Sequence, residues 1–562
     1  MTARKTALIL VSCLSVLAGA PAASASVFSR VFGEPSLRDI LQAKLSALDS
    51  GRTLKIRGDK LARNRDLSAF YQARKGSPAW FSNGRPSRAA WQLLDAVRKS
   101  PMEGLEPSDY HGPALDTLLR RFNRGGFWRM RGDPKSAADL ELLLSDASLR
   151  LARHLLFGRV RFKLPQDDWH LGREPIDVPE WMARVLADRR DVRNALQELV
   201  PADPGYGRMK YWLGEYRRME AAAGWPQVPE GPKLGPGDSG PRVLALCKRL
   251  AAEGAWRSGA CGEGWNKELG DAVGRFQGSH GLETTGKMDA ATLKQLNVTL
   301  ADRIDQIGLN LECWRWLSRD LGRRHVLVNI ADYRLGAWED DRESFSMRVV
   351  VGRKEDSTPV FSDSIHSVQL NPSWNVPAGI AKEEILPELQ RDPHYLESHD
   401  MELLADWSEK APVLRSDSID WAGMDTARFT FRVRQRNGDA SALGRVKFVL
   451  ANPFNIYLHD TPSKGYFDRN KRALSHGCVR LSEPMRLAEW VLRDEPAWPP
   501  AKIAAGIAQG EEKFVPLRTG IPVHILYWTC FTDPAGGLQF RSDVYGWNRR
   551  METALAKKAA SF

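Results

Sequence analysis

The chain has 562 residues, room for several domains at ~100–200 residues each, and its 43% hydrophobic content is that of a folded globular protein. Lys and Arg total 81 against 69 Asp and Glu, a formal charge of +12. Basic proteins favour anionic partners, but here the charge is spread along the chain, which describes a solvated surface and argues against a nucleic-acid tail.

The first residues read MTARKTALILVSCLSVLAGAPAASAS. Arg4 and Lys5 form a basic head, Ala7 to Ala20 an apolar run, and Ala23-Ser24-Ala25 a small-residue cleavage site. This is the pattern of a secretory signal peptide over 1–25. The run is short for a membrane span of ~20 residues. It also continues past Cys13, which argues against a lipoprotein cleavage site there. Removing the signal lowers the formal charge to +10. The mature chain is expected to be exported to the periplasm, with no transmembrane span and no nucleic-acid partner.

From 26 to 230 the pattern is helical. "RAAWQLLDAVRKS" and "AADLELLLSDASLRLARHLLFGRV" place apolar residues at three- and four-residue steps with charges between, as amphipathic helices do. "WPQVPEGPKLGPGDSGPR" at 225–242 is rich in Pro and Gly and reads as a linker. A compact helical segment occupies 236–298, and a bridging helix with "LNLECWRWLSRDLG" fills 299–322. The period then falls to two: "HVLVNIADYRLGAW", "SMRVVVGR", "RVKFVLANPFNIYLHD" and "IPVHILYW" read as strands of a mostly β domain over 323–530. A helical insertion at 378–424 interrupts it, and 531–562 is left as a C-terminal tail. The expected fold class is multidomain α+β.

Five cysteines survive signal removal: Cys247, Cys261, Cys313, Cys478 and Cys530. An odd number in an oxidising compartment leaves at least one thiol unpaired. Cys247 and Cys261 flank one short unit and are candidates for a disulfide. Cys478 is the candidate free thiol.

Its surroundings explain why. "IYLHD" ends a strand, so Tyr457 and His459 share a face. A polar loop of turn-formers then leads to "ALSHGCVRLSEP", and such a loop can return the chain to the same strand end. Gly477 permits a strained turn and close backbone approach. Acyl transfer needs a nucleophile, a base and oxyanion donors. Cys478 offers the thiol, and His459 or His476 the imidazole. Backbone N–H groups of the Gly477–Cys478 turn and the Tyr457 hydroxyl offer donors. A metal site on His459, His476 and Cys478 lacks the fourth ligand and spacing of structural zinc. His394, His399 and Asp400 lie in an exposed polar stretch. A buried inert cysteine fits poorly beside Ser475, His476 and Arg480.

Two stretches resemble known families. "GDSGPRVLALCKRL", "AVGRFQGSHGL" and "GKMDAATLKQLN" resemble the peptidoglycan-binding domain of cell-wall enzymes. "HDTPSKGYFDRNKRALSHGCVR" resembles the YkuD-type catalytic domain of L,D-transpeptidases: a His, a loop, then Ser-His-Gly-Cys, an apolar residue and Arg. "NPSWNVP", "ECWRW" and "LVNIADYRL" are similar to the large periplasmic members of that family. The resemblance implies a helical scaffold domain at 26–230, a peptidoglycan-binding domain at 236–298 and a catalytic domain at 323–530.

It further implies Cys478 as nucleophile and His459 as base. His476, Ser475 and Gly477 support the loop, with Tyr457 beside the oxyanion. Arg480 and Trp374 lie in the substrate cleft. The expected reaction joins tetrapeptide stems of peptidoglycan by 3→3 cross-links through a thioester, releasing D-alanine with no metal or organic cofactor. Alternatives are L,D-carboxypeptidation, lipoprotein anchoring, or glycan binding without catalysis. Carbapenems are expected to acylate the same thiol. The helical insertion is expected to cover the approach to Cys478 and to move when substrate binds.

Overall fold

A computed structural model of the chain describes residues 35–560, apart from 51, 53, 62–63, 125–132, 161–175 and 223. The expected signal segment lies outside these residues. Contacts divide the chain into two compact units: 1–156 with 175–200 and 559–562, and 157–174 with 201–558. Among the described residues no helix is long and apolar enough to cross a membrane.

The first unit is helical. Its entry helix, Leu37–Asp49, starts in a capping box in which Ser36 and Asp39 satisfy each other's backbone N–H groups. The long helix Pro134–Phe157 departs from the amphipathic expectation. Its residues from Leu140 to Ala152 are all buried, the polar ones included. Glu141 shows how this is tolerated: its carboxylate accepts from the N–H groups of Ala79 (2.5 Å) and Trp80 (3.0 Å) and from the Tyr71 hydroxyl (2.9 Å). Buried polar atoms so satisfied avoid most of their desolvation cost.

In the second unit, helix Pro204–Ala221 groups with the C-terminal part of the chain rather than with the helical block expected over 26–230. Side chains hold it there. Arg208 Nε donates to Thr532 Oγ1 (3.0 Å) and Trp212 Nε1 to the Gly536 carbonyl (2.9 Å). The segment expected as a linker is also bound. Val228 and Leu234 enter the core formed by helices Pro241–Ala252, Lys267–Ser279 and Ala290–Leu296. Asn297 clamps Val228 by bonding both its N–H and its carbonyl at 2.9 Å. Cys247 and Cys261, with Cα atoms 5.6 Å apart, form a disulfide in this module.

The C-terminal sheet carries the strands expected from the period-two pattern and adds three that the pattern did not single out, at Phe361–Leu370, Ala473–Ser475 and Val479–Leu481. They are β1 (Arg324–Asn329), β2 (Arg334–Glu339), β3 (Arg342–Gly352), β4 (Phe361–Leu370), β5 (Val446–Leu450), β6 (Leu458–His459), β7 (Ala473–Ser475), β8 (Val479–Leu481) and β9 (Lys513–Leu526). Their order is β7-β3-β8-β6-β5-β4-β9-β1-β2, and β2 also pairs with β3. The sheet therefore closes on itself, leaving β7 as a branch. Alternate residues point inward: Val326 and Val328, Leu335 and Ala337, Val446 and Phe448, Val523 and Ile525 fill the interior. Each buried Val, Leu, Ile or Phe side chain among them contributes ~1.5–3 kcal/mol.

Two expectations need correction here. The insertion is helical only in its first part, over Ala378–Arg391 and Tyr395–Ser398. Strands Met401–Leu404 and Val413–Leu414 follow, joined by Arg432–Gln435 and Trp374–Asn375 into a separate four-stranded sheet with its own core around Trp421 and Phe429. The residues after 530 are more than a tail. Cys530–Thr532 pairs with Leu538–Phe540, while Tyr545 and Trp547 pack into the main core.

Candidate active site

Three strand ends assemble the site. β6 and β8 run parallel, with Leu458 opposite Val479 and His459 opposite Arg480. That register sets Tyr457 beside Cys478, and the Val479 N–H donates to the Tyr457 carbonyl at 3.2 Å. Leu458 and Val479 face the core, so Tyr457, His459, Cys478 and Arg480 face the other way. All four line one cavity of about 670 Å³, together with Ser475, His476 and Trp374. The loop from Asp460 returns the chain to the same strand end, as parallel pairing demands of a crossover.

The turn before the thiol is built from close backbone packing. Gly477 has φ +108°, in the region that favours glycine. A Cβ on neighbouring Gly352 would lie 2.0 Å from the Asp356 carbonyl and 3.0 Å from the Gly477 Cα. Thr358, fully buried, locks the two strands. Its Oγ1 donates to the Gly477 carbonyl (2.6 Å) and accepts from the Gly352 N–H (2.8 Å). Ser475 staples the turn from within, donating to the Cys478 carbonyl (2.6 Å) and accepting from the Gly477 N–H (3.2 Å). The Gly477 N–H is thus committed to Ser475, which leaves the Cys478 N–H and the Tyr457 hydroxyl of the oxyanion donors suggested by the sequence.

His459 is buried, and its Nδ1–H donates to the Asp460 carbonyl at 2.5 Å. This leaves Nε2 with the lone pair. Burial and the nearby Arg480 charge push the imidazole down to about 3, so it is neutral at ordinary pH. Burial pushes the Cys478 thiol up, opposed by hydrogen bonds from Tyr457 and by the charges of Lys447 and Arg480. Thiol and imidazole both rest uncharged. That suits proton removal during attack rather than a standing thiolate–imidazolium pair.

The other histidine is engaged elsewhere. His476 Nε2 meets Glu384 Oε1 of the insertion at 2.5 Å. Among the described residues, no group of three or more His, Cys, Asp or Glu is placed to hold a metal ion. His394 and His399 are exposed on the insertion. Cys313 and Cys530 are buried thiols whose pKa burial raises, whereas Cys478 opens onto the cavity.

Some site residues escaped the sequence reading. Lys447 pairs with His459 across β5 and β6 and holds its ammonium 4.1 Å from the Tyr457 ring centroid. Burial lowers its pKa. The signal was present in "RVKFVL", where inward Val446 and Phe448 force Lys447 onto the face of His459. Trp407, half exposed, and Glu383 reach the cavity from the insertion, and Asn455 accepts from Cys478 Sγ at 3.7 Å.

Three segments of the chain match known protein families. Residues 323–525 match the L,D-transpeptidase catalytic domain, 65–213 the Scaffold domain and 239–296 the "Putative peptidoglycan binding domain". A curated "Putative L,D-transpeptidase" from Haemophilus influenzae is 36% identical over 229 residues, covering 41% of this chain and 45% of the relative. The match thus spans less than half of that relative's length. An L,D-transpeptidase structure from Stackebrandtia nassauensis aligns over 54% of this chain and 96% of its own at 14% identity, TM-score 0.20. One from Xylanimonas cellulosilytica aligns over 53% and 99% at 16% identity, TM-score 0.17. Residues 323–525 are an L,D-transpeptidase catalytic domain. It follows a scaffold domain and a peptidoglycan-binding domain, the order of the large L,D-transpeptidases that the sequence resembles.

Proposed function

We propose that the protein cross-links peptidoglycan in the periplasm by L,D-transpeptidation through a thioester on Cys478. The observation that carries this reading is the shared register of β6 and β8, which brings a thiol, a neutral buried imidazole, a tyrosine and an arginine into one cavity. The donor is a tetrapeptide stem. His459 Nε2 takes the thiol proton as Sγ attacks the carbonyl of the third residue. The Cys478 N–H and Tyr457 hydroxyl receive the oxyanion. The C–N bond to the terminal D-alanine breaks, and its amine leaves with the proton from His459. An amine of a second stem then gives up a proton to His459 and attacks the thioester, freeing the thiol and leaving a 3→3 link.

Arg480 is suited to a donor carboxylate. Its guanidinium lines the cavity and its buried Nε has no hydrogen-bond partner in the protein. Mass spectrometry of muropeptides after incubation with the mature protein tests the proposal. Dimers of tetrapeptide stems joined 3→3, with D-alanine released, are expected. Release of D-alanine giving only tripeptide monomers would assign carboxypeptidation, and unchanged muropeptides would overturn the proposal.

A further inference from the structure

A second cavity, of about 720 Å³, shares no lining residue with the one at Cys478. It lies on the outer face of β1 and β2, against helix Leu300–Trp314 and the Cys530–Phe540 hairpin. Its volume is within the range of small-ligand sites, ~300–1,000 Å³. The catalytic chemistry described above makes no use of it.

Its floor is an aromatic platform with a structural reason to be flat. Residues 334, 336 and 338 of β2 face the cavity, while Leu335 and Ala337 face the core. At the central position stands Gly336. A Cβ there would meet Trp338 Nε1 at 2.8 Å and Glu343 Oε1 at 2.6 Å, so glycine lets the Trp338 indole fold over the strand. Across the ladder, His325 pairs with Trp338 and its ring lies parallel, 2° between planes with centroids 6.3 Å apart. On the opposite wall Trp314 and Trp528 stack with centroids 4.2 Å apart. The Trp314 indole N–H is buried and has no hydrogen-bond partner in the protein. A donor left so in a cavity wall is costly unless something accepts from it.

The charges indicate what kind of ligand fits. Of the described lining residues five are arginines and five are Asp or Glu, so neither sign prevails. Phosphate or polyanion recognition needs a clear excess of cations. Flat aromatic rings surrounded by balanced donors and acceptors suit a neutral ligand with apolar C–H faces and many hydroxyl or amide groups, which is the chemistry of a saccharide. The cavity also adjoins the wall-binding module. Arg541, on its rim, donates to Asp332 (2.5 Å) and to the carbonyl of Ser279 in helix Lys267–Ser279 (3.1 Å).

We propose that this cavity is a saccharide site that takes N-acetylated amino sugars of the glycan strand, with Trp338 as its stacking platform. The proposal rests on the reading that the protein acts on peptidoglycan, but it concerns binding away from the thiol.

Hydroxyl-radical footprinting of the mature chain with and without tetra-N-acetylchitotetraose, together with binding isotherms for that peptide-free sugar, tests it. Protection of Trp338 and Trp314 is expected. Trp338→Ala should raise Kd at least tenfold and Trp338→Phe by a smaller factor, with the circular dichroism of the phenylalanine variant unchanged. Protection confined to 236–298, or a folded Trp338→Phe and Trp338→Ala pair with wild-type Kd, would overturn the proposal. These readouts report binding and not turnover, so a failure here leaves the thioester chemistry standing, and failure of that chemistry leaves this result readable.

Discussion

His476 Nε2 and Glu384 Oε1 stand 2.5 Å apart and tie the loop that carries Cys478 to the insertion above it. Glu384 also lies 3.7 Å from Arg353, at the end of β3. The insertion thus contributes to the walls of the cavity at Cys478 and is fastened to its rim through the partly exposed Glu384, chiefly by its contact with His476.

Breaking that contact should loosen the cover without removing the chemistry. Pairs this exposed are worth up to ~1 kcal/mol, so Glu384→Gln should lower kcat/KM about fivefold, with the thioester still forming. Hydrogen exchange over 378–424 should change on acylation by a carbapenem. A response confined to the loop around Cys478 would show that the insertion does not act as a lid.

The pH dependence of acylation follows from His459. Its folded pKa is lowered to about 3 by burial and by Arg480, so the neutral, proton-accepting form persists down to that pH. The rate of carbapenem acylation, followed by stopped-flow absorbance, should show no inflection near 6.5, the ordinary histidine value. Loss of activity from protonation of the base should begin only well below pH 5. An acid limb centred between 6 and 7 would mean that the free imidazole is less shielded than its burial implies.

Thr358 is fully buried and holds Gly352 and Gly477 together through one hydroxyl. Thr358→Val keeps the shape and removes both bonds, leaving a buried N–H and a buried carbonyl unsatisfied at a cost of ~1–3 kcal/mol. Thermal unfolding should report that loss. Acylation should slow further than it does in a Thr→Val change elsewhere in the core, because the turn that aims Sγ relaxes. A variant as stable and as fast as wild type would show that the hydroxyl has no part in shaping the turn.

The Cys247–Cys261 bridge closes a loop of 14 residues. In the chain-entropy model a loop of about 15 residues contributes ~3 kcal/mol. Non-reducing peptide mapping should recover the linked peptides, and reduction should lower the unfolding temperature of the 236–298 module. Both thiols found free in protein purified without reductant would contradict the bridge.

What was legible in the sequence was local. Alternation in "IYLHD" placed Tyr457 and His459 on one face, and the turn-rich loop after it implied a return to the same strand end. The β6–β8 register agrees on both points. Periodicity could not show that helix Pro134–Phe157 is surrounded by protein, because its polar residues are satisfied by groups such as Ala79 and Trp80, distant in sequence. Nor could it show that Pro-rich 225–242 contributes Val228 and Leu234 to a core. Both depend on partners far away in the chain. Glu384 beside His476 and Thr358 beneath Gly477 are of the same kind, since nothing local marks a residue that becomes important by meeting one 92 or 119 positions away.

The reading of Cys478 as nucleophile and His459 as its base is tested most directly by intact-mass analysis of the mature protein mixed with a tetrapeptide stem and quenched in acid. Wild-type protein should gain the mass of the stem less its terminal D-alanine and lose it again when an acceptor amine is added, with the adduct mapped to Cys478. Cys478→Ala should gain nothing, and His459→Ala should acquire the adduct far more slowly. An adduct on Cys478→Ala, or cross-linking by that variant at a rate comparable to wild type, would contradict the reading.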